Sequence, residues 1–502
     1  MAQQNESKPL LEDTPLHGVK KASFMAVFAV FLFPAIGGLL FGYDIGATSA
    51  VLSQLVNPTY AGVSWSDKVA SSSALQGFIT SMGVFGAMIG SLFCFRVGDY
   101  LGRRRELLIA AFMYFVGGAF EMLASFQKVY PDDSGLVVLL FGRSIYGIAC
   151  GFAMHGAPSY IAEMAPPDVR GLLVSLKEGL IVLGILMGYV VGYAYESTVG
   201  GWGFIYGASC LMAVIMAVGT WLLPPSARWL VLCGKRAEAL AALKFVTPGA
   251  DEDDVQEIYD QLSASQEQSS GKSRSEDGSS DWAKLLGPTC KLALIAGCGL
   301  VFLQQVTGQP SVLYYADTIF KDVGLDSVAS VLTGTFKLVA TLYAVATVDS
   351  QGRKKLLYIG CVMMLVALLL LAVCFAFPYT SYDQCEAMTE ADSCGDLSGC
   401  EWSEDACGVT GLDGQKVTIL GAMFLYIGGY QVGFGPIAWL IISEVFPLEL
   451  RGKAISVAVV SNFFWMTVES FLFPVQLELF GASVTFFVFA LIDAYAIYFI
   501  YR

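Results

Sequence analysis

The sequence predicts an all-α membrane protein with twelve transmembrane helices in two six-helix halves, joined by a helical linker. Composition and an internal repeat carry that prediction. Of 502 residues, 55% are hydrophobic and 14% charged, and the mean hydropathy is +0.62, too apolar for a soluble chain of this length. A polar signature then occurs twice. Asp99, Gly102, Arg103, Arg104 and Arg105 stand between two apolar stretches, and Glu163, Pro166, Arg170 and Gly171 between the next two. Asp349, Gly352, Arg353, Lys354 and Lys355 lie 250 positions later, and Glu444, Pro447, Arg451 and Gly452 lie 281 positions later at the same internal spacing. The excess of 31 falls in one loop, about 383 to 416, so the pattern is a duplication with an insertion. Such parallel repeats belong to transporters built from two halves.

Apolar spans of roughly 20 residues, the length that crosses a bilayer, fall at 24–46, 74–95, 106–126, 136–159, 172–195, 203–223, 290–318, 324–347, 356–378, 417–443, 453–474 and 481–501. The chain thus divides into an N-terminal tail (1–23), a first half (24–223), a linker (224–289) and a second half (290–502) with a Cys-containing loop at 379–416. The first span lacks a small-residue cleavage site and reads as a retained helix rather than a signal peptide. With the N-terminus in the cytosol, 22 of the 29 Lys and Arg lie on the cytosolic side, three in the membrane (Arg143, Lys177, Lys337) and four outside (Lys68, Lys128, Lys321, Lys416). Both termini are therefore expected in the cytosol. The net charge of −14 carries no nucleic-acid signal.

The linker opens with an amphipathic stretch from Arg228 to Val246, passes an acidic run from Asp251 to Asp254 and reaches a Ser-rich tract from Ser263 to Ser280. It reads as short helices followed by a flexible segment. In the inserted loop Cys385, Cys394, Cys400 and Cys407 stand among nine acidic residues. Their spacing does not fit a zinc knuckle and the topology places them outside the cytosol, so two disulfides are expected, with three pairings open. Glu6, Leu10 and Leu11 form an acidic dileucine pattern, a sorting-adaptor address for endosomal, lysosomal or vacuolar membranes. No metal, cofactor or nucleic acid is expected, and no nucleophile stands beside a base as an enzyme would need.

A titratable group near mid-bilayer costs roughly 3 kcal/mol or more, so each one needs a partner or a task. Asp44, Arg143, Glu178, Lys337, Glu469 and Asp493 are such groups. Asp44 with Arg143, and Glu178 with Lys337, make two expected ion pairs, as static glue or as working groups. Asp44, in a span with Gly37, Gly38, Gly42 and Gly46 that reads as lining a cavity, is the natural proton site. The seventh span carries Gln304, Gln305, Gln309, Tyr314 and Tyr315, with Gly308 and Pro310 breaking the helix. Amides and phenols bind hydroxyl-rich neutral solutes, and a break in a buried helix opens backbone to a cavity. Trp439, Gln431 and Asn462 add an indole face and two more amides, and together these residues describe a site for a sugar.

On these residues the chain resembles the sugar-porter branch of the major facilitator superfamily over roughly 24 to 502. The match rests on Gly42 to Asp44, both Asp/Gly/Arg loops, both Glu/Pro/Arg/Gly loops, Arg228-Trp229-Leu230, Gln304-Gln305, and Gly435-Pro436 with Trp439. The resemblance implies sugar contacts at Gln304, Gln305, Trp439 and Asn462, proton coupling at Asp44, and Arg143 as its partner. Glu178, Pro310, Lys337 and Gln431 stand where the family usually has a glutamine, two asparagines and a glutamate. The segments Ser175 to Glu178 and Gly308 to Tyr315 look like the plant and algal vacuolar glucose carriers, also called xylose-symporter-like. The expected function is alternating-access carriage of a monosaccharide across a lipid bilayer, driven by protons. The rivals are a facilitative uniporter and a non-transporting sugar sensor. Expected substrate residues are Glu178, Gln304, Gln305, Gln309, Tyr315, Lys337, Trp439 and Asn462. A cytosolic gate is expected from ion pairs across the cytosolic face, holding the outward-facing state closed inside, among Asp99, Arg103, Arg104, Glu163, Arg170, Asp349, Arg353, Glu444 and Arg451. The location implied is a vacuolar, other internal or plasma membrane.

Overall fold

The computed structural model describes residues 22–130, 132–271, 287–377, 400–403, 406–409, 414–446 and 451–501. The first half comprises α1 (Phe24–Val56), two short helices α2 (Pro58–Ala61) and α3 (Ser66–Ala70), then α4 (Ser73–Leu101), α5 (Arg103–Leu123), α6 (Ser134–Met164), α7 (Pro167–Ala194) and α8 (Gly201–Leu222). The linker forms α9 (Ala227–Leu232), α10 (Arg236–Val246) and α11 (Glu252–Gly271). The second half continues with α12 (Pro288–Val306), α13 (Gln309–Tyr314), α14 (Ala316–Asp322), α15 (Val328–Gln351) and α16 (Arg353–Cys374), a hairpin of β1 (Cys400–Ser403) and β2 (Ala406–Val409), then α17 (Gly414–Val432), α18 (Phe434–Val445) and α19 (Arg451–Tyr501).

The repeat seen in the sequence reappears in the backbone. Gly102, at φ +78°, ends α4 and opens α5, and Gly352, at φ +84°, does the same between α15 and α16. Only glycine adopts this left-handed conformation freely. At Gly102 a Cβ would also come within 2.7 Å of the Trp229 ring, from the start of the linker. The seventh span breaks where expected: α12 stops at Val306, Gly308 takes φ +84°, and α13 restarts with Pro310 in its first turn.

Eleven helical stretches among the described residues are long and apolar enough to cross a bilayer, one fewer than the twelve expected spans. The last of them holds two. α19 has 51 residues, about 76 Å at 1.5 Å per residue against a hydrocarbon core of about 30 Å. It is broken at Gly481, whose φ of 75° and ψ of 165° are not helical. The outward surface carries large apolar side chains, among them Phe112 and Leu211, each 68% exposed. A belt of this kind faces hydrocarbon.

The linker departs from expectation in one respect, for α11 runs to Gly271, past the start of the Ser-rich tract. Asp251 and Asp254 cap its start reciprocally, each side chain accepting from the other's backbone N–H. Pairs at four-residue spacing, Gln256 to Asp260 and Gln261 to Glu257, extend it. The linker holds one described end of the chain and the glycine turn of the second half holds the other, both on one face. The Ser23 N–H donates to the Val246 carbonyl, and Lys354, beside Gly352, donates to the Tyr501 carbonyl. We call this face the linker end and the opposite one the far end.

Cys400 lies opposite Val409 in the hairpin, and Cys407 opposite Trp402. Cys385 and Cys394 lie outside the described residues, as do Glu6, Leu10 and Leu11.

Candidate functional site

The glycines of α1 face neighbouring helices rather than the cavity the sequence led us to expect. A Cβ on Gly42 would fall 1.8 Å from the Ile181 carbonyl oxygen of α7, and one on Gly46 would fall 2.2 Å from that of Ile185. These glycines bring two backbones together, as small residues do where helices pack in a membrane. That seam fixes how α1 is rotated and turns Asp44 toward α6.

There Asp44, 4% exposed, pairs with Arg143, which is fully buried. The guanidinium also donates to the Ile79 carbonyl at 3.2 Å and lies over the Tyr206 ring at 5.4 Å. Gly83 makes room for it, since a Cβ there would stand 2.9 Å from Arg143 Nη2. The sequence reading missed a third member. Glu121 of α5, fully buried, places Oε1 3.7 Å from Arg143 Nη1. A glutamate two residues from the end of its helix reads as interfacial, and only the helix rotation shows that it points inward.

Beside this cluster the broken helix presents its polar groups. Gln305 donates to Asn462 Oδ1 at 2.6 Å and Gln304 to the Phe434 carbonyl at 2.9 Å. Gln304 Oε1, Gln305 Oε1, Gln309 Nε2 and the Tyr314 hydroxyl are buried and have no hydrogen-bond partner. Buried polar atoms are nearly always satisfied, so four vacant ones around one helix break mark a place for a polar ligand. Tyr314 lies within electrostatic reach of both Asp44 and Arg143, which puts the amides and the ion pair side by side. Tyr315 shares a 2.8 Å hydrogen bond with Thr80 of α4. Trp439 is half-buried and packs with Val301, Ile442 and Phe446.

Lys337 does not pair with Glu178, as the sequence reading expected. Its ammonium donates to Gln431 Oε1 at 2.8 Å and lies 5.4 Å from the centre of the Tyr430 ring, while among the described residues no carboxylate approaches it within 4.0 Å. An amide dipole and a π face replace the carboxylate. Glu178 is half-buried on α7.

Four of the expected gate residues have described bonds. Arg103 pairs with Glu163 at 3.2 Å, and the Ser226 hydroxyl donates to the other oxygen of Glu163. Arg104 donates to the Thr220 and Trp221 carbonyls, capping the end of α8, and Arg170 donates to the Ala165 carbonyl. All of these bonds lie within the first half or run to the linker, not across the halves. The side chains of Asp99, Asp349, Glu444 and Arg451 lie outside the described residues, and Arg353 has interactions of its own. Nearby, the buried Glu106 meets His155 Nδ1 at 2.6 Å.

Bonds across the halves gather at the far end. Lys321 binds Glu196 at 2.8 Å and Ser53 at 2.9 Å, Ser327 donates to Glu196 at 2.7 Å, and Ser49 accepts from the Asp317 N–H at 3.0 Å. Ser73 donates to Glu478, and Tyr189 donates to the Leu313 carbonyl at 2.8 Å. Burial pulls the Lys321 ammonium down, but Asp317 and Glu196 outweigh it and hold the group above its ordinary value. A raised lysine contributes fully below its unperturbed range and is lost only as pH climbs through the raised value. This latch should therefore hold unchanged from mildly acid to neutral pH. Glu196→Gln and Lys321→Met should each loosen it, raising accessibility of a cysteine placed at the far end to a membrane-impermeant thiol reagent. Equal labelling in variants and parent would count against the latch.

The comparisons with known proteins bear directly on this architecture. The profile of the family described as "Sugar (and other) transporter" matches residues 30–502. "D-xylose-proton symporter-like 2" of Arabidopsis thaliana is 38% identical over 99% of this chain and 91% of its own length. The "D-xylose transporter" of Levilactobacillus brevis is 31% identical, over 94% of this chain and 91% of its own length. The fold matches the xylose transporter XylE from E. coli in a partially occluded inward open conformation, with a TM-score of 0.72 at 24% identity over 95% of this chain and 99% of that one. It also matches that protein, described as a major facilitator superfamily proton:xylose symporter, bound to 6-bromo-6-deoxy-D-glucose, with a TM-score of 0.69 at 26% identity over 95% of each. With two six-helix halves, the duplicated glycine turns and a family match across nearly its whole length, this multi-pass membrane protein belongs to the sugar transporter family of the major facilitator superfamily.

Proposed function

We propose that this chain carries a pentose or hexose across its membrane by alternating access, coupled to protons. The observation that carries the reading is the set of vacant buried atoms at the helix break: Gln304 Oε1, Gln305 Oε1, Gln309 Nε2 and the Tyr314 hydroxyl. Acceptors and donors in that mixture suit a polyol, each of whose hydroxyls both gives and takes a hydrogen bond. Asn462 orients Gln305, and Trp439 offers an apolar face to the CH side of a pyranose ring. The relatives' names point to xylose, and Asp44 supplies the carboxylate for the proton. One proton moving through ~100 mV contributes ~2.3 kcal/mol and one pH unit ~1.4 kcal/mol, together enough for accumulation of several hundred-fold.

The linker end is read as cytosolic from the distribution of Lys and Arg, and the dileucine pattern at Glu6, Leu10 and Leu11 as an address for an internal membrane. The far-end latch then makes the arrangement described above one closed to the outside or lumen. Release of sugar requires the linker end to open, and reloading requires the latch to part.

Uptake of labelled xylose and glucose into proteoliposomes with an imposed pH gradient tests the reading. Accumulation that collapses with a protonophore supports symport, counterflow without accumulation supports a uniporter, and neither would leave a sensor. At the site, Gln305→Ala and Gln309→Ala should each raise the KM for sugar about 2- to 13-fold, the equivalent of one hydrogen bond. An unchanged KM in both variants would move the sugar elsewhere.

A further inference from the structure

We propose that Glu121 is the second carboxyl of the coupling site, holding a proton while Asp44 is ionised and taking over Arg143 when Asp44 is protonated. The inference rests on proton-coupled transport as proposed above, and the charge count in the buried cluster carries it. Arg143 supplies one positive charge, and Asp44 and Glu121 supply two carboxyls, all within 4% of complete burial. No second basic side chain approaches either carboxyl within ion-pair distance among the described residues. The other groups facing the cluster are uncharged: Tyr43 of α1, Tyr114 of α5, Tyr146 and Cys150 of α6, Tyr206 and Cys210 of α8, and Tyr314 of α13. Two carboxylates against one guanidinium would leave one net negative charge fully buried, which is costly. One carboxyl must therefore keep its proton.

The geometry identifies which. Asp44 is bonded directly to Arg143, whereas Glu121 stands off at 3.7 Å and both its oxygens lack any hydrogen-bond partner. An ionised carboxylate would draw donors to itself; a protonated one tolerates this setting. The exchange that follows balances without any other reactant. A proton arriving on Asp44 from one side of the membrane neutralises it and frees Arg143, the guanidinium shifts the short distance to Glu121, and Glu121 releases its proton to the aqueous phase on the opposite side as it becomes the counterion. The cluster holds one proton and zero net charge before and after, and the single positive charge it carries between the two is the guanidinium's, which drives the proton off Glu121. Glu121 thereby makes the site a relay between two carboxyls rather than a single titrating aspartate.

Infrared spectroscopy of the purified protein at neutral pH, read as difference spectra between variants, provides the test. The wild type should show a protonated-carboxyl band that Glu121→Gln removes, worth one carboxyl per chain. Asp44→Asn should remove the same band, because Glu121 must then ionise to balance Arg143. Should Glu121→Gln not fold, Glu121→Asp should displace the band rather than abolish it, and the Asp44→Asn comparison stands alone. In transport, Glu121→Gln should shift the pH profile of gradient-driven uptake by about one unit or flatten it, with Glu121→Asp restoring the wild-type profile, which a merely structural residue would not do. A band unaltered by Asp44→Asn, or a Glu121→Gln variant with wild-type spectrum and pH profile, would overturn the proposal. The infrared result does not depend on sugar: if uptake proves indifferent to protons while the band behaves as stated, symport fails and the proton on Glu121 stands.

Discussion

Asp44→Asn should abolish proton-driven accumulation, bringing the steady-state sugar ratio from as much as several hundred down to about one, while counterflow exchange survives. Asparagine keeps the shape of the side chain and an oxygen to accept from Arg143, but it cannot bind and release a proton. The energy of the gradient then has no route into the cycle. Exchange persists because the amides at the helix break are untouched and because Glu121, 3.7 Å from Arg143, can ionise to neutralise it. The measurement is labelled-sugar uptake with and without a pH gradient, beside counterflow at equal pH. A variant that still concentrates sugar would remove Asp44 from the coupling site.

Arg143→Leu should be the most damaging single change to stability. The guanidinium is fully buried, bonded to Asp44, and donates to the Ile79 and Thr80 carbonyls, so it ties α1 and α6 to α4. Removing one member of a buried pair costs about 3–5 kcal/mol, since the partner is left desolvated and uncompensated. Thermal unfolding in detergent should show a large loss for Arg143→Leu and a partial recovery in the double variant with Asp44→Asn, where no bare carboxylate remains. A double variant no more stable than the single one would mean that lost packing, not stranded charge, explains the damage.

Much of the fold is legible in the chain because repetition and lipid both leave strong marks. Gly102 and Gly352 occur in matched settings, and each proves to be a left-handed turn. Gly308 and Pro310 announce the break in the seventh span, and twelve apolar stretches are hard to read otherwise. The pairing of Asp44 with Arg143 follows from the cost of isolated charge. What stays hidden is rotation and choice among partners. Lys337 was expected to pair with Glu178 but finds Gln431, 94 positions away, because an amide oxygen satisfies an ammonium and carries no charge by which to advertise itself. Glu121 was hidden because burial at a helix end depends on how α5 is turned against α6. The glycines of α1 misled in the opposite sense: small residues read as space, whereas here they abolish it.

That seam between α1 and α7 also bears on mechanics. With the Ile181 and Ile185 carbonyls pressed against Gly42 and Gly46, no layer of side chains remains between the two helices to shear or re-sort. At these two points α1 and α7 are expected to move together. Motion must then be taken up where the two halves meet, as at Tyr189 with the Leu313 carbonyl and at Thr80 with Tyr315. Both joints lead to the helix that binds the proposed sugar, α13 and the residue that follows it. A ligand seated there rests on the fulcrum, where a small displacement is translated into a large swing at the opposite rim.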